Sequence, residues 1–348
     1  MTAKSIRSML WLAACLTALV AVSSGCGRGG PVRMIETRRL MGVPWTITLY
    51  AASEAAGREA AGAAFAEAER LNGILSDYDE TSELSRLSAA APTASPVAVS
   101  DDLWRVLERA VAIREATGGA FDPTVGPLTA LWRQSRRSGE LPRPDKLAAA
   151  RAAVGPEKLL LDRDRREVQL TAEGMRLDLG GIGMGYAIDR ALEVLRKRSI
   201  TAAMIDASGD IGVSGPPPGS PGWRIEVAPL DPLATDAPRQ TLVLVDAAVT
   251  TSGDARQGVE IDGIRYSHIV DPRTGIGVVG PAAVTVIAAD CATADALATA
   301  ASVLGPGEGL RAVAAEAGAA ARFVWLEAGG AREARSPRWP AQPSQPDE

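Results

Sequence analysis

The chain contains one histidine, His268, and its surroundings make it a candidate for chemistry. It lies in the segment GIRYSHIVDPRTG, where an alternating strand-like pattern breaks at Asp271 and Pro272. A neutral imidazole accepts a proton near pH 7, so His268 is a candidate general base. From this context alone, a structural role at a strand end is the more common interpretation. A Ser-His-Asp hydrolase is a further alternative, but the chain has no G-x-S-x-G motif.

A second candidate site combines a carboxylate and a hydroxyl in the segment TADALATA, residues 293–300. Asp295 and Thr299 are four residues apart and therefore share one face of a predicted helix. Hard oxygen ligands of this kind suit Mg²⁺, which keeps water and substrate phosphate as further ligands. The alternative is a solvated Asp295 and a Thr299 hydroxyl bonded to its own helix.

A glycine-rich turn in LDLGGIGMG, residues 177–185, could bring backbone close to a ligand. It lies between a predicted strand and a predicted helix, and a helix N-terminus favours phosphate. The glycines are out of register for G-x-G-x-x-G, and no phosphate-loop lysine follows them. A tight structural turn explains the pattern equally well.

Two polar loops carry aromatic residues, which form only 4% of the chain. Tyr78 lies in SDYDETSELSRLS and could stack on a planar ligand, although a half-buried loop residue is the simpler interpretation. Phe121 and Asp122 directly follow a predicted helix end in TGGAFDPTVGPL. They could equally belong to an ordinary helix cap.

The rest of the chain predicts the elements that must position these side chains. Helices are predicted over 53–76, with Ser53 as cap, and over 101–119, 292–305 and 307–318. Residues 120–132 are predicted to form a loop. Residues 175–179 are predicted to form a strand that leads into the glycine turn. Strands outnumber helices in the second half and often follow one another directly. The expected fold class is therefore α+β, with largely antiparallel sheets packed against helices.

The N-terminal segment predicts that the protein is exported. Residues 1–25 combine Lys4 and Arg7 with a charge-free apolar run of 15 residues, as in a signal peptide. Small residues precede Cys26, which predicts a lipoprotein lipidated there, with residues 27–33 as a tether. Lipidation at Cys15 and plain secretion after cleavage near Gly25 are the alternatives. The expected location is a membrane-anchored lipoprotein facing the periplasm, on the inner membrane.

Composition limits the remaining possibilities. The formal net charge is −5 and no basic run is present, so no nucleic-acid partner is expected. Hydrophobic residues make up 46% of the chain, enough for a substantial core. With Cys15 and Cys26 assigned to the leader, Cys291 alone forms neither an internal disulfide nor a cysteine metal cluster. Residues 331–348 are polar and Pro-rich and predict a disordered tail.

Eight segments, in this order, resemble the ApbE family of FAD:protein FMN transferases. The resemblance runs over nearly the whole chain after the leader and predicts a catalytic, FAD-binding domain over 34–330. The segments are MGVPWTI, SDYDETSELSRLS, TGGAFDPTVGPLTALW, LDLGGIGMGYAIDRA, DASGDI, TTSGD, RYSHIVDPRTG and ATADALATAASVLG.

The resemblance implies a Mg²⁺-dependent reaction in which FMN passes from FAD to a Thr or Ser hydroxyl. The acceptor would be an exported or membrane flavoprotein subunit, and AMP would be released. It also implies that His268 lies beside the reacting phosphate and that Gly181, Asp295 and Thr299 hold Mg²⁺. The implied contacts with FAD are Met41, Tyr78, Ala120, Phe121, Asp122, Asp178, Met184 and Ile269.

The sequence departs from the family pattern at two places. Met184 stands where the family turn G-G-I-[AG]-K-G has lysine, and Asp206 and Ser208 differ from the family N-A-G-G-D. Two alternatives to the transferase stay open, and the lost lysine supports the second of them. One is a Mg²⁺-dependent FAD pyrophosphatase that releases FMN and AMP, and the other is a flavin-binding lipoprotein without turnover.

Overall fold

An antiparallel sheet of eight strands organises the chain. The computed structural model describes residues 30–227, 230, 240–253, 258–327 and 330–341. The sheet order is β1-β2-β6-β7-β10-β14-β15-β16, and every neighbouring pair is antiparallel. The strands are β1 Val32–Leu40, β2 Val43–Ala51, β6 Ala203–Ala207, β7 Asp210–Ser214, β10 Ala247–Gly253, β14 Ala282–Ala288, β15 Ala320–Glu327 and β16 Gly330–Arg335.

Three small antiparallel sheets complete the β structure of the described residues, with orders β3-β5-β4, β8-β9 and β11-β12-β13. Their strands are β3 Val97–Ala98, β4 Leu159–Asp162, β5 Glu167–Leu170, β8 Trp223–Val227, β9 Gln240–Leu244, β11 Val259–Ile261, β12 Ile264–Val270 and β13 Gly277–Val279.

The described residues form seven α-helices. They are α1 Glu54–Leu75, α2 Glu83–Ala89, α3 Asp101–Ala116, α4 Gly126–Ser138, α5 Pro144–Ala152, α6 Gly183–Lys197 and α7 Cys291–Ala315, with a 3₁₀ turn at Pro156–Lys158. Helix α1 packs on β1 and β2, α6 on β6 and β7, and α7 on β10 and β14. The predicted α+β class with antiparallel sheets is confirmed.

Small residues allow these helices to approach one another closely. In α1 the buried face is rich in alanine, and α1 packs against α6, which packs in turn against α7. Ser53 caps α1 as predicted, because its hydroxyl accepts a hydrogen bond from the backbone N–H of Ala56 at 3.2 Å. The two helices predicted at the C-terminal end are both present within α7, on either side of a kink at Gly305, whose φ is 77°.

The α6–α7 contact depends on Gly185, and this dependence makes a testable prediction. A Cβ atom at Gly185 would lie 2.4 Å from the carbonyl oxygen of Cys291, which is backbone and cannot move aside. We expect Gly185→Ala to lower the free energy of unfolding by about 1–3 kcal/mol in urea denaturation. The control is Gly62→Ala in α1, where a Cβ atom would meet nothing within 4 Å. This control should gain about 0.5–1 kcal/mol, and equal effects in both variants would contradict the packing argument.

Several local predictions were wrong. The segment 120–132, predicted as a loop, enters helix α4 at Gly126 because Pro127 suits a first helical turn. Residues 175–179 run as irregular chain without strand pairing. Part of the predicted tether is already strand, since β1 begins at Val32.

The predicted disordered tail also needs correction over its described part. Strand β16 pairs with β15, and the indole of Trp339 is buried and donates to Gln240 Oε1 at 2.9 Å. The sequence missed this because its polar residues form an edge strand, whose outer side faces water. Residues 342–348 lie outside the described residues.

The described residues from Pro31 onward form one compact unit. The predicted signal peptide and Cys26 lie outside the described residues. Within the described ranges, no helix combines the length and the apolar composition needed to cross a bilayer.

Candidate active site

A cleft of about 1270 Å³ opens between the main sheet, the glycine turn and the β11–β13 sheet. All twelve of the site residues predicted from the sequence line it. They are Met41, Tyr78, Ala120, Phe121, Asp122, Asp178, Gly181, Met184, His268, Ile269, Asp295 and Thr299. Residues separated by more than 250 positions in the chain therefore meet in one place.

The three predicted metal ligands lie together at the base of this cleft. Asp295 is buried in α7, and within the described residues no donor reaches its Oδ2 atom. Thr299 follows one turn later, and its Oγ1 would lie 2.8 Å from a Cβ atom built on Gly181. A side chain at position 181 would thus fill the space beside the Thr299 hydroxyl.

This donor set fits a divalent cation of the Mg²⁺ type. It offers one carboxylate, one hydroxyl and nearby backbone, which leaves positions for water and phosphate oxygens. The buried and unpartnered Oδ2 atom of Asp295 is what a cation would satisfy, since a lone buried carboxylate is costly. No cluster of three His, Cys, Asp or Glu side chains suited to a metal occurs among the described residues, so a thiolate or imidazole metal centre is not offered there.

The first turn of α7 is held by two carboxylates. Asp290 caps the helix by accepting from Thr293 N–H at 2.8 Å. Asp189, from α6, accepts from the N–H groups of Cys291 at 2.8 Å and Ala292 at 3.0 Å. Burial raises the pKa of Asp189 to about 7, against these hydrogen bonds. The pair fixes the start of the helix that carries Asp295 and Thr299.

The cleft is strongly acidic. Eight carboxylate residues line it and only two guanidinium groups, Arg133 and Arg136, accompany them among the described residues. Burial, followed by the charge of Asp210, raises the pKa of Asp295 well above its usual range. Burial and the neighbouring Asp206 carboxylate raise the pKa of Asp210 to about 7. An anionic ligand would meet net repulsion here unless a cation accompanied it.

Arg133 joins three cleft residues at the side where Tyr78 lies. Its guanidinium donates to Asp77 and, at 3.3 Å, to Asp178 Oδ2. Its Cζ atom lies 4.2 Å from the centre of the Tyr78 ring, a cation–π arrangement. Tyr78 is 76% exposed. The Arg133 guanidinium therefore covers one face of its ring, and the other face is open to a planar ligand.

Asp122 and Asp178 shape the backbone around the cleft. One oxygen of Asp122 accepts from Arg114 Nε at 2.9 Å, and the other from the N–H and hydroxyl of Thr124. Asp178 Oδ1 accepts from Gly180 N–H at 2.8 Å, which sets the entry to the glycine turn. Its Oδ2 accepts from the Thr129 hydroxyl at 2.7 Å.

An irregularity in β12 directs His268 into the cleft. The β12–β13 register shifts between Tyr266 and Val270, the stretch that contains His268. Such bulges re-aim a side chain and are common beside active sites. Trp132 Nε1 donates to the Ser267 carbonyl at 2.9 Å, which ties this stretch to α4. Beyond it, Gly275 has φ 75° and its N–H donates to the Asp271 carbonyl at 2.8 Å, closing the turn.

Sequence reasoning missed several cleft residues. Arg133 and Arg136 lie three positions apart on α4, and their helical spacing with Thr129 was an available signal. Asp206 and Asp210 flank the β6–β7 turn; Asp206 had been noted only as a departure from the family pattern. Asp254, the last residue of the TTSGD segment, lies outside the described residues.

The fold and the cleft define an α+β protein with a large acidic cleft that contains a histidine and a buried aspartate. The ApbE family model matches residues 41–323. The FAD:protein FMN transferase of Treponema pallidum is 34% identical over 309 residues, 82% of this chain and 84% of that protein. The FAD:protein FMN transferase of Vibrio cholerae serotype O1 is 34% identical over 246 residues, 70% of this chain and 72% of that protein.

Two solved structures of flavin transferases are also similar to this chain. The apo form of the Pseudomonas stutzeri flavinyl transferase ApbE has a TM-score of 0.78 at 30% identity, covering 89% of this chain and 96% of that one. The flavin transferase ApbE from Vibrio cholerae also has a TM-score of 0.78, at 29% identity, covering 88% and 98%. This chain belongs to the ApbE family.

Proposed function

We propose that this protein is a Mg²⁺-dependent FAD:protein FMN transferase. It would move FMN from FAD to a Thr or Ser hydroxyl of an exported or membrane flavoprotein, with release of AMP. The relatives named above carry this activity in their names. The observation that carries the magnesium part is the buried, unpartnered Oδ2 atom of Asp295 beside Thr299 and Gly181.

The acidity of the cleft explains why a cation is needed. The diphosphate of FAD carries about two negative charges, whereas eight carboxylates line the site. When bound, Mg²⁺ would neutralise the diphosphate and stabilise charge on the departing AMP. Asp295 and Thr299 would supply its ligands, and the absence of a side chain at Gly181 leaves that approach open.

The protein's own groups then orient and activate the reactants. Tyr78, held on one face by Arg133, would present its open face to the flavin ring. His268 would accept the proton of the acceptor hydroxyl as the oxygen attacks the phosphorus of the FMN half. The bond from that phosphorus to the AMP phosphate oxygen breaks, so AMP leaves and a phosphoester joins flavin to the acceptor.

One incubation separates this proposal from its alternatives. Purified protein, FAD and Mg²⁺ are mixed with a probe protein carrying an acceptor Thr in a D-x-x-[ST]-G-A-[ST]-like segment. We expect the FMN mass increment on the probe together with one AMP per adduct. FMN and AMP without an adduct would identify a pyrophosphatase, and bound but intact FAD would identify a flavin-binding protein without turnover.

Met184 provides a further test because it stands where the family has lysine. We expect Met184→Lys to tighten FAD binding by about threefold to tenfold, since one added cation offsets cleft carboxylates by ~1 kcal/mol. Flavin fluorescence titration with Mg²⁺ present gives the dissociation constant, and the gain should shrink at high salt. The control Met184→Gln keeps the chain length without the charge. If the glutamine variant tightens binding equally, the electrostatic explanation is wrong.

We also propose that the protein is exported and anchored to the membrane through lipidated Cys26, facing the periplasm. The support is the sequence pattern alone: basic residues, a short apolar run and small residues before the cysteine.

A further inference from the structure

We propose that the free edge of strand β10 at Thr251–Gly253 binds an extended segment of the acceptor protein by strand addition. This inference rests on the proposed transferase function and adds where the protein substrate lies. Strand addition uses backbone hydrogen bonds for affinity and side-chain pockets for specificity.

The free edge exists because β10 extends beyond the end of the neighbouring β6–β7 hairpin. On one side β10 pairs with β14 from Ala248 to Gly253. On the other side its pairing with β7 stops at Val249, because the β6–β7 hairpin turns at Ser208 and Gly209. Among the described residues, Thr251, Ser252 and Gly253, about 10 Å of strand, thus have a partner strand on the β14 side only. Within the described residues no backbone group bonds to them from the β7 side.

The free edge opens into the cleft that contains His268. Thr251, Ser252 and Gly253 line the cleft together with His268 and Asp295. The floor beside the edge is polar, since the hydroxyls of Thr251 and Thr285 bond across β10 and β14 at 2.9 Å. Strand β8 borders the same region through Ile225, Glu226 and Val227.

The residues implied to contact FAD are other members of the same cleft. Those residues come from the β1–β2 turn, the loops before α2 and α4, the glycine turn and Ile269. The β10 edge offers a row of backbone donors and acceptors spaced for a polypeptide, whereas a nucleotide would match few of them. A protein substrate must also bring its hydroxyl close to His268 while the rest of the chain stays outside.

Hydrogen exchange tests the contact directly. The probe is the acceptor protein described above with its acceptor Thr replaced by Ala, which keeps the complex from turning over. We expect this probe, in the presence of FAD and Mg²⁺, to slow amide exchange in Thr251–Gly253 by at least about tenfold. FAD and Mg²⁺ without the probe should leave amide exchange in this segment unchanged. Full protection by FAD alone would assign the edge to the nucleotide and overturn the proposal.

Kinetics with a blocked edge provides the second measurement. Thr251 is exposed, and Thr251→Trp should raise the KM for the acceptor at least tenfold while leaving the dissociation constant of FAD unchanged. Val243→Trp is the matched control, on strand β9, 40% exposed and outside the cleft lining. If wild type forms no adduct, the transferase proposal itself fails. If wild type forms the adduct but Thr251→Trp and the exchange pattern are unaffected, only the β10 assignment fails.

Discussion

Replacing Asp295 with alanine is expected to abolish Mg²⁺-dependent FMN transfer, lowering kcat by at least about 10²–10³-fold. Asp295 lies one helical turn before Thr299 on α7, is buried, and lines the cleft together with Thr299 and Gly181. Without it the remaining donors are a hydroxyl and backbone, which bind Mg²⁺ weakly. The measurement is the rate of FMN adduct formation on the acceptor probe as Mg²⁺ is raised.

A second readout separates metal binding from catalysis. A ligand that binds only the folded state raises Tm with its concentration. We expect Mg²⁺ with FAD to raise the Tm of the wild type and to lose much of this effect in Asp295→Ala. The variant should fold well on its own, because it removes a buried carboxylate oxygen that has no hydrogen-bond partner among the described residues.

The control for this prediction is another carboxylate of the same cleft. Asp206→Asn removes one negative charge and restores the residue that the family pattern has at this position. It should keep Mg²⁺-dependent transfer, because Asp206 uses Oδ1 to accept from Gly209 N–H at 3.0 Å within its own turn. Unchanged turnover and an unchanged Mg²⁺ effect in Asp295→Ala would contradict the metal assignment.

The sequence predicted a set of residues that the fold brings into one cleft, and each of them belongs to a short local pattern. Asp295 and Thr299 are one helical turn apart, and the glycine turn is readable as a close backbone approach. Their convergence could not be read locally, because it depends on the sheet order that brings α7 beside the glycine turn. The resemblance of eight ordered segments supplied that information.

The sequence was a poor guide where tertiary packing overrides local pattern. Helix α4 begins among prolines and glycine and is stabilised by a cluster that includes Trp132, Tyr266 and Val270. Its two cleft arginines were therefore missed. The free edge of β10 was equally hidden, because it arises from the unequal lengths of two strands that are neighbours only in the folded sheet.

Replacing His268 with alanine is expected to lower kcat for FMN transfer by about 10²–10⁴-fold, the usual contribution of a positioned general base. The dissociation constant of FAD should change by less than about threefold, since the implied contacts with FAD come from other side chains of the cleft. Single-turnover adduct formation and flavin fluorescence titration give the two quantities. Added imidazole should restore part of the rate, because it can accept a proton in the vacated space.

If His268→Ala acted only by disturbing the local structure, its rate loss would not be restored by imidazole. The variant Arg273→Ala serves as the control for such a structural effect. Arg273 is close in sequence but outside the cleft lining; it bonds to Asp271 and, at 3.2 Å, to the Val303 carbonyl. This variant loosens the turn after β12 and should reduce transfer only modestly, without imidazole rescue. If it matched His268→Ala in rate and neither variant responded to imidazole, His268 would serve to hold the turn. Rescue confined to His268→Ala requires a proton acceptor at that position, which no role in the strand alone supplies.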